Sequence, residues 1–192
     1  MGNVWVADLL RFTNNGVLQH STPVGHASIT LLADDDSIFS FVLFGESGSD
    51  RERPSLPPVC PEIDGTERSY NGLWARKAEG VGGASVVVNN TSQAYIHYIY
   101  DDMGRPIWLL SAPEPQSPAT REAPLSQFGG FCAVCAGDAN DVTLESVGVF
   151  TRDYASEESM TWNLDYVLKS PLGGSIDRTD LTFKLTAPIA CQ

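Results

Sequence analysis

Alternating apolar and polar residues recur along the chain in segments of strand length, and helical periodicity is nearly absent. Residues 94–100 show this most clearly, because alternation places Tyr95 and His97 on one face of a strand and Tyr98 and Tyr100 on the other. Large side chains on both faces are typical of a strand within a packed sheet. The pattern therefore predicts β-structure rather than helices.

Turn-forming residues separate these segments at hairpin spacing. Asn15-Gly16 and Asn89-Asn90 belong to the residue types that tolerate positive φ angles in tight turns. The predicted strands are residues 4–12, 17–20, 27–33, 37–46, 84–88, 94–100, 105–111, 143–153, 160–169 and 181–186. We therefore predict an all-β fold, an antiparallel β-sandwich or β-barrel of about 8–10 strands built from hairpins.

We interpret residues 1–192 as a single β domain. Residues 47–71 are rich in Pro, Ser and charge and predict a loop, which offers an alternative division into sub-units 1–60 and 70–192.

Two short segments of the chain resemble each other, which bears on the origin of the fold. The pattern G-x-A-S starts at Gly25 and again at Gly82, and β-branched residues follow each copy. Two diverged copies of one hairpin would explain the likeness, and chance similarity between two hairpins is the alternative.

Charge narrows the range of partners. Lys and Arg number 12 and Asp and Glu number 24, so the formal net charge is −12. A surface of this sign repels phosphates, which argues against nucleic acid as a partner. No apolar run approaches the ~20 residues of a membrane-spanning helix, so we expect no transmembrane segment.

The cysteines indicate the compartment. Cys60, Cys132, Cys135 and Cys191 form an even set, which favours disulfides in an oxidising environment, with Cys60–Cys191 and Cys132–Cys135 as the expected pairs. Free thiols and a zinc site are the alternatives. Because the cysteines favour an oxidising compartment, we expect a secreted, periplasmic or cell-surface protein. The first residues lack the charge and apolar run of a signal peptide, so we expect that the signal has been removed.

Several motifs occur in a fixed order in the later part of the chain: G-L-W at 72–74, Y-I-Y-D-D-M-G-R-P-I-W-L at 98–109, G-G-F-C-A-V-C at 129–135 and V-G-V-F at 147–150. Roughly residues 70–192 thereby resemble a β-rich module of secreted and surface proteins of Gram-negative bacteria, with the pattern G-x-W … Y-D-x-x-G-x-P-x-W-L … C-x-x-C. The resemblance implies export and a β fold, and it implies no catalytic residue.

Two sets of residues are candidates for binding. An aromatic face that stacks on sugar rings or on a partner chain would comprise Trp74, Tyr95, His97, Tyr98, Tyr100 and Trp108. The alternative is that these aromatics pack in the core. A turn with Asp138, Asn140 and Asp141 is a candidate calcium site, although Val142 interrupts the usual ligand spacing and Asp and Asn also favour turns for conformational reasons.

No motif identifies an active site, and we assign no catalytic residue. The sequence therefore favours a non-catalytic extracellular or surface module that binds protein or glycan or assembles with copies of itself. A secreted hydrolase whose active site follows no motif is one alternative, and a small-ligand carrier barrel is the other.

Overall fold

The computed structural model describes residues 4–14, 19–32, 36–52, 60–63, 65–76, 82–111, 117–129 and 143–186. Every regular element in these ranges is a β-strand, which confirms the all-β prediction. The described residues fall into two compact units, one within residues 4–52 and the other within residues 60–186. The prediction of one domain over residues 1–192 stays a prediction.

The first unit is a four-stranded antiparallel sheet with the strand order β1-β2-β3-β4. Its strands are β1 (Val4–Asn14), β2 (Gln19–Leu31), β3 (Ser37–Leu43) and β4 (Glu46–Glu52). Phe44 and Gly45 form the two-residue turn between β3 and β4 with φ angles of 52° and 88°. Two consecutive positive φ angles give the turn a twist that matches paired strands, so the chain reverses directly.

Two strand predictions in this unit are wrong. The loop predicted from residue 47 onward begins instead as β4, because the turn at Phe44 brings its polar residues into register with β3. The two short strands predicted at 17–20 and 27–33 are parts of one strand, β2, which continues through Pro23. The register shifts at this point, and an irregular position tolerates the missing proline N–H.

The second unit contains a small two-stranded sheet and a closed antiparallel barrel of eight strands. The small sheet pairs β5 (Glu62–Ile63) with β6 (Thr66–Glu67). The barrel strands are β7 (Gly72–Arg76), β8 (Gly83–Val88), β9 (Gln93–Tyr100), β10 (Pro106–Ser111), β11 (Glu122–Gly129), β12 (Thr143–Tyr154), β13 (Ser159–Val167) and β14 (Ser175–Lys184). The last strand, β14, pairs with the first, β7, and so closes the barrel.

Local chemistry explains the hairpin between β8 and β9. The Asn89 side-chain oxygen accepts hydrogen bonds from the backbone N–H groups of Thr91 and Ser92, both at 2.8 Å. An asparagine in this position replaces the backbone partners that a tight turn loses. The predicted hairpin at residues 84–100 is therefore confirmed.

The barrel interior is filled by large side chains. An eight-stranded barrel is just wide enough for side chains to fill it. Among the largest fully buried residues are Trp74, Tyr95, Phe150, Met160 and Trp162. Phe150 packs against Trp162 with ring centroids 6.2 Å apart. The described part of the barrel interior is therefore a packed core.

Candidate functional site

The six residues predicted as one aromatic face lie on two sides of the barrel wall. Trp74, Tyr95 and His97 point into the interior and are fully buried. Their assignment to an exposed binding face is therefore wrong, because the strand alternation directs them into the core. Tyr98 and Trp108 lie on the outer side and are exposed.

His97 meets a serine hydroxyl, but no solvent reaches the pair. Its Nε2 lies 3.2 Å from Oγ of Ser111, and both side chains are completely buried. Burial lowers the pKa of His97 from 6.5 to about 3, so the imidazole is neutral at physiological pH. A general base needs access to its substrate and a pKa near the working pH. This pair therefore belongs to the core, and it does not resemble an active site.

The exposed aromatic residues line a groove on the outside of the barrel. Tyr98 on β9 lies directly opposite Trp108 on β10, and both border a groove of about 450 Å³. The remaining groove wall is mostly apolar and includes Leu73, Tyr100 and Leu185. We call this surface the aromatic groove.

Gly83 lies in the wall of the aromatic groove. Gly83 pairs with Ala75 on one side and with Tyr98 on the other. A Cβ atom at Gly83 would lie 2.3 Å from the carbonyl oxygen of Trp74. The close approach of the β7 backbone therefore requires glycine at this position.

Trp108 also borders a second, more polar groove of about 360 Å³. On this side Phe128 stacks against Trp108 with ring centroids 4.2 Å apart and planes inclined by 30°. Gln127 and Glu145 line the same groove. Phe128 was not identified from the sequence, although its position on β11 next to β10 places it in the same outward row.

One face of the four-stranded sheet carries large apolar side chains from three strands, and the strand register defines it. The paired positions on this face are Trp5, Ala7 and Leu9 on β1, Ala27 and Ile29 on β2, and Phe39, Phe41 and Leu43 on β3. We call it the apolar sheet face. Among residues 4–11, 20–32 and 36–52, whose burial the structure describes, only Ala27 is buried, whereas Trp5 is 61 % exposed and Ile29 is 39 % exposed. The sheet thus lacks a core of its own.

The two faces of this sheet differ in chemistry. The opposite face is mixed: it carries exposed Val4, Val6 and Leu10 on β1. Beside them Ser28 and Ser40 lie in register, and the hydroxyl of Ser40 lies 2.9 Å from that of Ser49. On the apolar sheet face, charge lies on the two edge strands. Strand alternation places Arg11 at the β1 edge, and Glu46, Asp50 and Glu52 at the β4 edge.

The predicted disulfide and calcium residues lie mostly outside the described part of the chain. Cys60 is buried and disulfide-bonded, and its partner is not among the described residues. Cys132, Cys135 and Cys191 lie outside those residues, so the two pairings stay predictions. The calcium candidates Asp138, Asn140 and Asp141 also lie outside them. The described residues contain no group of His, Cys, Asp or Glu arranged to hold a metal ion.

Comparisons with known proteins leave the family open. No family model matches the chain, and no curated protein or solved structure shows significant similarity to it. In the described ranges we find no helix with the length and hydrophobicity that a membrane span requires.

Proposed function

We propose that this chain is a non-catalytic binding module that assembles with a second copy of itself. The observation that carries the proposal is the apolar sheet face, which is exposed on a sheet that has almost no buried residue. Sheets normally pack one apolar face on another layer about 10 Å away. A second apolar sheet face supplies that layer.

The size of the face suits a dimer. The four strands, which include the charged edge strand β4, are spaced about 4.8 Å apart and have about seven residues each at about 3.4 Å per residue, so this side of the sheet covers about 450 Å². Treated as flat surfaces, two such faces bury about 900 Å² in total, which is close to the roughly 1,000 Å² expected of a specific interface.

The rim charges suit a second copy in particular. Arg11 lies at the β1 edge, whereas Glu46 and Asp50 lie at the β4 edge. A two-fold arrangement that places β1 over the partner's β4 brings opposite charges together at both edges of the interface. Such complementarity favours the correct orientation more than it adds affinity.

The proposed assembly takes place outside the cytoplasm. Cys60 is disulfide-bonded, and structural disulfides persist in oxidising compartments. This supports the secreted, periplasmic or cell-surface location that we expect from the cysteine content. Symmetric assembly of surface modules requires no catalytic residue. His97, which lies beside a serine hydroxyl, is buried in the core, where no substrate reaches it.

Size-exclusion chromatography with light scattering tests the assembly. Ile29→Lys places a charge in the apolar sheet face, and His26→Lys places the same charge on the opposite face of the same strand, where the side chain is exposed. We expect Ile29→Lys to weaken dimerisation about 30-fold, the equivalent of ~2 kcal/mol, and His26→Lys to leave it unchanged. Equal behaviour of the two variants would contradict the proposed interface.

Glycan binding is a second candidate, favoured by the surroundings of Trp108. Its ring is exposed and backed by Phe128, while Tyr98 carries a hydroxyl 2.9 Å from that of Ser85. The C–H face of a sugar ring complements the negative face of an aromatic ring, and nearby polar groups orient its hydroxyls. The carboxylate of Glu145 lies in the neighbouring groove and offers an acceptor for such hydroxyls.

A glycan array followed by calorimetry tests this second candidate. We expect Trp108→Ala to abolish binding of any glycan that the wild type retains. Val167→Ala serves as the control, because Val167 is an exposed apolar residue of β13. The candidate is refuted if no glycan binds or if the two variants bind alike.

A further inference from the structure

Arg152 is a buried cation whose hydrogen-bond partners are all neutral. On β12 it is only 4 % exposed, and its guanidinium donates to the hydroxyl of Tyr95 and to the side-chain oxygen of Gln93, both at 2.8 Å. It also donates to the backbone oxygens of Pro118 and, at 3.1 Å, Thr120. Among the described residues no carboxylate forms an ion pair with it.

The tyrosines beside Arg152 do not supply a negative charge. Burial raises the pKa of Tyr95, although the nearby Arg152 partly offsets this effect. Burial also raises the pKa of Tyr154 well above its usual range. Both hydroxyls are therefore neutral, and Tyr154 contributes only its ring face, which lies 4.6 Å from the guanidinium carbon. The positive charge of Arg152 is thus uncompensated by these neighbours.

A second arginine, Arg68, lines a cavity beside Arg152. Arg68 and Arg152 both line a cavity of about 130 Å³, together with Thr66 and Tyr70. In the described ranges the Arg68 side chain has no ion pair, and its hydrogen bond to Pro61 uses the backbone N–H. We call this space the barrel-end cavity.

The one acidic residue among those lining the cavity is engaged elsewhere. Asp153 lies at its border but is mostly exposed and pairs with Arg121 at 3.4 Å. In a chain with a formal net charge of −12, two arginines without a carboxylate partner reverse the local sign of charge. The Nε and Nη2 donors of Arg152 already bind protein oxygens, which leaves its Nη1 and the guanidinium of Arg68 to meet the oxygens of a phosphate, sulfate or carboxylate group.

We propose that the barrel-end cavity binds a small oxyanion between Arg68 and Arg152, with the hydroxyl of Thr66 as a further donor. Its small volume limits the ligand to one anionic group, either a free ion or the end of a larger molecule. This site is independent of the proposed dimer, because it uses no residue of the apolar sheet face.

Isothermal titration with sodium phosphate, sulfate and acetate, against sodium chloride at equal ionic strength, tests the site on the full chain. We expect saturable binding of at least one oxyanion at one site per chain and none of chloride. Phosphate or sulfate binding without acetate binding identifies a tetrahedral ligand group, and the reverse identifies a carboxylate. Absence of saturable binding for all three oxyanions overturns the proposal.

Two variants and one spectroscopic signal locate the site. Arg68→Gln is expected to weaken binding at least tenfold, whereas Arg51→Gln removes the same charge from an exposed position of β4 and leaves binding unchanged. In a wild-type NMR titration, the Nε–H resonance of Arg152 is expected to shift with the same dissociation constant. An unshifted Arg152 resonance, or equal binding by both variants, shows that the anion binds elsewhere and overturns the assignment.

Discussion

Acidification from about pH 6.5 to about pH 5 is expected to destabilise the protein through one buried side chain, His97. The ring is completely buried and packs between aromatic neighbours, with centroids 4.6 Å from Phe150 and 5.5 Å from Trp162. Burial holds its pKa at about 3 in the folded protein, against 6.5 for an ordinary histidine. Below about pH 6.5 the unfolded chain therefore takes up a proton that the folded chain does not.

The size of the effect follows from this difference in pKa. His97 contributes no pH dependence above its unfolded pKa, and below it the free energy of unfolding falls by about 1.4 kcal/mol per pH unit until about pH 3. Over about 1.5 units the expected loss is about 2 kcal/mol. Other titrating groups add their own dependence, so the prediction concerns the share due to His97 alone.

Comparison with His97→Phe isolates that share. Phenylalanine retains an aromatic ring among Phe150 and Trp162, and the hydroxyl of Ser111 keeps its hydrogen bond to the backbone oxygen of Tyr95 at 3.3 Å. Urea unfolding at about pH 7 and about pH 5 should show the wild type losing about 2 kcal/mol more than the variant. An identical loss in both proteins would refute the assignment of a neutral, buried imidazole.

Two further predictions concern packing and cross-linking. Trp162→Ala is expected to lower the free energy of unfolding in urea by about 3–5 kcal/mol, because Trp162 is buried in the barrel. Trp108→Ala on the outer surface should lower it by less than about 1.5 kcal/mol. Equal losses would contradict the placement of Trp162 inside the barrel and Trp108 outside it. Peptide mapping without reduction is expected to recover Cys60 joined to Cys191, and Cys60→Ser should lower stability by about 2–4 kcal/mol. Recovery of Cys60 joined to another cysteine would contradict the predicted pairing.

Much of the fold follows from alternation within single segments. The pattern of residues 94–100 correctly separates Tyr95 and His97 from Tyr98, because a strand directs successive side chains to opposite faces. Alternation does not reveal which face is enclosed. Closure of the barrel depends on the pairing of β14 with β7, which are distant in sequence, so the burial of Trp74 was not predictable from local pattern.

The binding surfaces were less predictable for the same reason. The apolar sheet face emerges only when the register aligns Trp5, Ile29 and Phe39 from three strands. β4 was missed because its residues are polar and charged, and a strand at a sheet edge needs few apolar side chains. Arg152 resembles any surface arginine in the sequence, and only the closed barrel shows that it is buried.

Sedimentation equilibrium over a wide range of protein concentration tests self-assembly most directly. We expect the weight-average mass to rise from the monomer value of 20.8 kDa towards twice that value and then to stay constant, as a closed two-fold interface requires. A mass that stays at the monomer value at every concentration would contradict it.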